Sequence, residues 1–313
     1  MAHTPVLLQS VLDLINPQVG EVVVDGTVGS GGHALALGEA IGLKGRLICL
    51  DQDQESLAKA RANLASLKCQ VDFKLTNFRT LKTVLAELEV KKVAAILLDL
   101  GVHSDQLGPS GRGFSFLHDE PLLMTMKADL TPHDLIARDI VNTWEEDNLA
   151  AILDGFGEER FAGPIAKAII IARREYPIES TNQLVQIINK AVPVWYTHKR
   201  LHFATRTFQA LRLAVNDELP ALTEVLPAAW ESLAPGGRLA IISFHSLEAR
   251  LVKNFFRGLK QEGYELLTKH AVKPERAEQL ANPRSRSAEL RVIKKSLVKK
   301  VKKQAKNENL NNW

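Results

Sequence analysis

Residues 21–33 read EVVVDGTVGSGGH. The β-branched run from Glu21 to Thr27 predicts a short strand that feeds a glycine-rich turn, and HALALGEAI (33–41) then predicts a helix. The pattern recurs in RLICLDQD (46–53) with a helix from Gln54 to about Ser66. It recurs again in VDFKLTN (71–77), followed by the helix LKTVLAELE (81–89) and the apolar run AAILLDLG (94–101). Strands that are apolar throughout, separated by amphipathic helices, point to a parallel sheet covered on both faces.

Beyond about Val102 the alternation stops. NLAAILDGF (148–156), AKAIIIARR (166–174) and NQLVQIINKAV (182–192) carry helical periodicity, and no convincing strand precedes Val215. The α/β pattern resumes with a helix over Glu218–Leu233, the Pro235-Gly236-Gly237 turn, a strand over Arg238–Phe244 and a helix over Ser246–Leu259. Two β-like runs follow, around Tyr264–Ala271 and Ala288–Lys294. The expected fold is α/β: a doubly wound, mostly parallel Rossmann-like sheet interrupted after its fourth strand by an all-helical insertion. The expected division is 1–104 plus 216–296 for a discontinuous cofactor-binding domain, 105–215 for the insertion and 297–313 for a basic, disordered tail.

The 313 residues are 45% hydrophobic and 24% charged, which excludes a disordered, collagen-like or disulfide-stapled chain. No apolar run is long enough to span a bilayer, and Met1–Gln9 lacks the basic and apolar regions of a signal peptide. Cys49 and Cys69 lack metal-ligand spacing and read as core thiols, so no metal, no membrane and a cytoplasmic location are expected. The net charge of +4 is uneven: from Arg291 onward eight Lys/Arg face one acid, Glu308, leaving 32 bases against 35 acids before it. Such a tail is either solvated or bound to a polyanion.

Gly29-x-Gly31-x-x-Ala34 formally fits a dinucleotide-binding turn, so a nicotinamide or flavin site is one reading. Asp51 closes the next strand, where a carboxylate can hold a ribose diol. Two features favour S-adenosylmethionine. Asp25 precedes the glycines, where it would repel a pyrophosphate but receive the ammonium of a methionine moiety, and Asp99 ends the fourth strand at the same sheet edge. Three strand-end acids suit a cationic sulfonium; the alternative is that they are turn or cap residues.

The blocks DGTVGSGGH, LDQD, Asn77-Phe78 and LLDLGV with Ser104 and Gln106 resemble the bacterial 16S rRNA cytosine-N4 methyltransferases called RsmH or MraW. The resemblance runs on through RGFSF (112–116), GEERFA (157–162), ATRTFQALR (204–212), VNDEL (215–219), SFHSLE (243–248) and NPRSRSAELR (282–291), and the opening His3-x-Pro5-Val6-Leu7-Leu8 fits too. It implies S-adenosylmethionine contacts at Gly31, Gly32, His33, Asp51, Phe78, Asp99 and Gln106. It also implies a cytosine in the decoding region of 16S rRNA, within the small subunit, as acceptor. A homodimer is the assembly considered.

Methyl transfer from a sulfonium is an in-line displacement that asks mainly for alignment, with an acceptor for the N–H bonds of a delocalised amine. Asp99, His103 and Ser104 stand where the methyl group should emerge and are the catalytic candidates. No [DNS]-P-P-[YF] turn, common in amino-methyltransferases of DNA bases, follows the fourth strand. Arg112, Arg206, Gln209, Arg212, His245, Arg284 and Arg286 are the RNA-binding candidates. Plainer roles stay open: Arg206 and Arg212 pairing with Glu218 or insertion acids, Ser246 as a helix N-cap with Glu248 in its first turn, and Phe114 and Phe116 as core aromatics.

Four stretches depart from the family pattern. Leu122-Leu123-Met124-Thr125-Met126 stands for Leu-Asp-Met-Arg-Met, His103-Ser104-Asp105-Gln106 for Ser-Ser-Pro-Gln, Phe203 for a proline, and Ala249 for an acid. The loss of the Asp/Arg pair motivates a diverged methyltransferase with another acceptor as an alternative. A non-catalytic RNA-binding assembly factor and a nicotinamide-dependent oxidoreductase complete the alternatives.

Overall fold

A computed structural model describes residues 5–102 and 106–297. The first half alternates as read. Helix α1 (Leu8–Ile15) precedes β1 (Val22–Asp25), α2 (Gly32–Ile41), β2 (Arg46–Asp51), α3 (Gln54–Asn63), β3 (Gln70–Leu75), α4 (Leu81–Glu87) and β4 (Val93–Asp99). Six helices then run without a strand among the described residues: α5 (Ala137–Thr143), α6 (Glu146–Gly155), α7 (Ala162–Arg173), α8 (Thr181–Ala191), α9 (Val194–Thr197) and α10 (Thr205–Asn216). The chain returns through α11 (Glu218–Ser232), β5 (Leu233–Ser243), α12 (Ser246–Gln261), β6 (Tyr264–Leu266), α13 (Arg276–Ala281) and β7 (Glu289–Leu297).

The seven strands form one sheet in the order β3-β2-β1-β4-β5-β7-β6. All pairs from β3 to β5 are parallel; β7 is antiparallel to both its neighbours. Successive strand side chains point to opposite faces, so each apolar strand feeds two cores. Val23, Leu47, Cys49, Ala95 and Leu97 pack with α1, α2 and α3 on one face. Val24, Ile48, Leu50, Ile96 and Leu98 pack with α4, α11 and α12 on the other. Both cysteines are buried and free, as read.

Three boundaries differ from the sequence reading. Helix α1 was not anticipated, although Leu8, Val11, Leu12 and Ile15 recur at helical spacing. Strand β5 begins before the Pro-Gly-Gly turn, because Gly236 at φ +81° lets the chain bulge and resume pairing at Arg238. Strand β6 stops at Leu266, and pairing with the last strand resumes only at the Val272–Leu290 bridge.

The inserted helices close a third core of their own, including Leu122, Met124, Ile140, Leu153, Ile169, Leu184, Phe208 and Leu211. Phe114 belongs to this core and Phe116 packs against it, stacking on His202 at 4.3 Å. Asp217, at φ +51°, turns the chain between α10, which packs into this core, and α11, which packs on the sheet. Among the described residues no helix is long and apolar enough to cross a membrane. His103, Ser104 and the tail from residue 298 lie outside the described residues.

Candidate active site

Open α/β sheets bind ligands beyond the carboxyl ends of their strands, where the strand order reverses. Here that point lies between β1 and β4. The turn after β1 is built for close approach. Gly31 sits at φ +93°, and a Cβ on Gly26 would come within 2.5 Å of the Leu98 side chain. Asp25 is buried and accepts from the Thr27 amide at 3.1 Å. Thr27 Oγ1 in turn accepts the Asp99 amide at 2.7 Å, which fixes the end of β4 against the turn.

Asp51 ties two turns together. Its Oδ2 accepts from the Gly29 amide at 2.8 Å and its Oδ1 from the Asp53 amide at 2.9 Å. A carboxylate oxygen can accept more than one hydrogen bond, so this is a group that suits a diol. A cavity of about 30 Å³ at the strand ends is lined by Gly26, Thr27, Asp51, Gln52, Thr76, Asn77, Phe78 and Gly101. Gln52 crosses it, accepting from Asn77 Nδ2 at 2.9 Å and reaching Met126 Sδ at 3.0 Å. The Cβ-free turn and the Asp51 carboxylate fit an adenosine-containing cofactor. Gln52 is one of the residues lining the cavity and is held there by its contacts with Asn77 and Met126.

His33 lies at the start of α2, buried, with Nε2 3.6 Å from Asp99 Oδ2. Gln106 and Arg112, expected at the cofactor and at RNA, converge instead on Asp53. Gln106 donates to Asp53 Oδ2 at 2.9 Å, and Arg112 donates to Asp53 Oδ2 at 2.8 Å, to Glu55 Oε2 at 2.8 Å and to the Met126 carbonyl at 3.2 Å. Burial opposes ionisation of Asp53, but the Arg112 hydrogen bonds and charge win and hold its carboxyl below the usual range. Arg112 is therefore turned inward, away from any phosphate.

On the other side of Asp99 opens a cavity of about 360 Å³. It gathers Asp99, Gln209, Arg212, His245 and Arg284, which come from four separate stretches of chain, together with Thr205 and Asn282. Gln209 donates to the Phe156 carbonyl at 2.9 Å. Arg212 forms a two-pronged pair with Glu218, at 2.8 and 3.0 Å, the plainer role left open for it. Burial pushes the Glu218 carboxyl up despite the opposing Arg212 charge. Arg206 and Arg286 do not line this cavity: Arg206 donates to the Glu158 carbonyl, and Arg286 is exposed on the turn Pro283–Ser287.

Helix α12 starts at Ser246 as read, but Ser246 is not its N-cap. The N-cap position is His245, and the Ser246 hydroxyl donates to Glu158 Oε2 at 2.6 Å. Glu248 reaches back to accept the Phe244 amide at 2.8 Å, with its other oxygen 3.1 Å from His245 Nε2. Burial alone would raise the Glu248 carboxyl; hydrogen bonding from His245 and nearby positive charge keep it below the usual range. Sequence reasoning also missed Gln52 and Thr27, which announce themselves only through contacts distant in sequence.

The segment that departs from the family pattern packs inward. Leu122, Met124 and Met126 are core residues, and the buried Thr125 hydroxyl accepts the Lys127 amide at 3.2 Å. Asn216 clamps it, accepting from the Met126 amide and donating to the Met124 carbonyl, both at 2.7 Å.

The MraW methylase family matches residues 1–296. The chain belongs to this family. A ribosomal RNA small subunit methyltransferase H from Syntrophotalea carbinolica is 45% identical over 309 residues, covering 94% of this chain and 98% of that relative. Another, from Deinococcus deserti, is 45% identical over 302 residues, covering 96% of each. Among solved structures, an rRNA methylase from Streptococcus thermophilus is a distant likeness, 13% identical with a TM-score of 0.45 over 95% of this chain and 99% of its own. Membership of the family places the strand-end turn and the Asp99 cavity in a methyltransferase.

Proposed function

We propose that this chain transfers the methyl group of S-adenosylmethionine to the N4 amine of a cytosine in the decoding region of 16S rRNA. One observation carries the reading: the cavity beside Asp99 adjoins the strand-end cleft and gathers four of the polar residues read separately as RNA contacts. The small ribosomal subunit is the acceptor named for the relatives at up to 45% identity. A cytoplasmic location fits that substrate, and sedimentation distinguishes a monomer from the homodimer considered above.

When bound, the cofactor supplies an electrophilic methyl group. Asp51 would hold its ribose and Phe78 would wall its base, while Gly31, Gly32 and His33 bring the start of α2 close. Asp99 lines the larger cavity, which shares Gly101 with the strand-end cleft, and its carboxylate can accept an N–H of the acceptor amine and hold the nitrogen in line. His103 and Ser104, which lie outside the described residues, stay catalytic candidates in this reading. Gln209, Arg212 and Arg284 line the cavity in which an everted base would sit. The insertion, residues 105–215, is the RNA-recognition domain in this reading.

The test is tritiated-methyl transfer to small subunits lacking the modification, followed by nucleoside analysis. N4-methylcytidine is the expected product. A labelled product of another kind, or none from a protein that binds the cofactor, overturns the acceptor assignment.

A further inference from the structure

We propose that His245 takes the proton released by the acceptor amine, with Glu248 as the positioning residue that orients the imidazole and stabilises its cation. This rests on the function proposed above and names a proton acceptor for it. The side chain of His245 is only 10% exposed, yet it lines the same 360 Å³ cavity as Asp99. Its Nε2 lies 3.1 Å from Glu248 Oε1, close enough for an ion pair though not aligned as a hydrogen bond, and its Nδ1 is likewise buried without a hydrogen-bond partner among the described residues. A buried nitrogen left without a partner is unfavourable unless something else uses it, and a neutral imidazole held by a carboxylate at one nitrogen is a base at the other.

The surroundings favour a cation there after the reaction. Glu248 faces His245 from α12, Glu218 from α11, Arg212 from α10, and Asp99 and Arg284 share the cavity. Arg212 hydrogen-bonds Glu218 through both oxygens, and the Glu248 oxygen that does not accept the Phe244 amide faces His245. Glu248 is itself held rigid by the Phe244 amide. Imidazole is the stronger base, Asp99 the better-placed orienting acceptor at the strand end. As the amine nitrogen forms its bond to the methyl carbon, the carbon–sulfur bond breaks and its electron pair leaves with the thioether. The proton shed by nitrogen goes to Nδ1, and the imidazolium later returns it to water.

The experiment compares full-length wild type, His245→Ala, His245→Asn and Glu248→Gln. It reads single-turnover methyl transfer to small subunits against pH, the imidazole NMR titration of His245, and cofactor binding by calorimetry. General-base removal lowers rates by about 10²–10⁴-fold, so His245→Ala is expected to lose at least 10²-fold with cofactor affinity retained. Added imidazole restores part of that rate. Glu248→Gln removes the charge beside the imidazole, so the rising limb of the pH profile moves to lower pH. Should His245→Ala fail to bind cofactor, His245→Asn carries the comparison. Wild-type rates in a folded His245 variant, or a loss that imidazole leaves untouched, overturn the proposal while leaving the function standing. Absence of transfer by the wild type overturns both.

Discussion

Arg112 donates to Asp53 at 2.8 Å through a guanidinium whose side chain is 10% exposed, joining the loop that follows Gly111 to the residue that caps α3. The pair also sits one residue from Gln52 and two from Asp51, so it fixes the far wall of the cofactor cleft from behind.

Replacing Arg112 with Ala leaves the Asp53 carboxylate buried with only Gln106 and local donors. Removing one partner of a buried pair costs about 3–5 kcal/mol. Urea unfolding should therefore show a much larger loss for Arg112→Ala than for Arg138→Ala, whose exposed pair with Glu179 is worth about 0–1 kcal/mol. The Asp53 carboxyl lies below its usual value in the folded state, so its contribution is present above the unfolded pKa of about 4 and is lost as pH falls through the folded value. Arg112→Ala should flatten that acid limb.

Little of that pair was legible in the sequence, although the sheet was. Val22–Asp25, Arg46–Asp51 and Val93–Asp99 announce themselves because a strand buried on both faces needs only a local apolar run. Their terminal acids follow from position alone. Arg112 and Asp53 are 59 residues apart, and nothing local tells an inward arginine from one that meets phosphate. The same limit applies to Gln209, Arg212, His245 and Arg284, which are individually visible but share a cavity only once α10, α12 and the turn before β7 are folded together. Helix α12 begins at Ser246 as read, but Ser246 is its first residue and not its N-cap, because a serine at a helix start suits either position.

Tyr196 donates to both oxygens of the buried Glu159, at 3.0 and 2.9 Å, and burial followed by that carboxylate pushes its phenol up to about 12. An ultraviolet titration should resolve one tyrosine ionising later than the others. Because the folded value is raised, its stabilisation is complete below the unfolded pKa of about 10 and disappears as pH climbs through about 12. Tyr196→Phe removes the late transition and should cost about 1–3 kcal/mol, since Glu159 loses its hydroxyl donor.

Glycines test where backbone freedom is needed. Gly31→Ala forces an L side chain into φ +93° at the cofactor turn, at a cost of about 1–2 kcal/mol, and should weaken cofactor binding measured by calorimetry. Gly32→Ala adds a Cβ 2.5 Å from the Pro5 ring and should behave similarly. Gly258 lies exposed within α12 with nothing near its added Cβ, so Gly258→Ala should instead stabilise by about 0.5–1 kcal/mol and leave binding unchanged.

Asp51 and Gln52 separate affinity from access at the strand-end cleft. Asp51→Asn keeps one acceptor oxygen but sets an amide group against the second backbone N–H, either that of Gly29 or that of Asp53. It should therefore disturb both turns, and cofactor affinity should fall by at least about 10-fold, the equivalent of 1.4 kcal/mol. Gln52→Ala removes the side chain that spans Asn77 and Met126 without touching either turn. Stopped-flow binding should then show a faster association rate, because admission no longer waits for Gln52 to release its two partners. An unchanged association rate in a folded Gln52→Ala protein would mean that the cleft opens elsewhere, with the Asn216 clamp on Met124 and Met126 as the next contact to release.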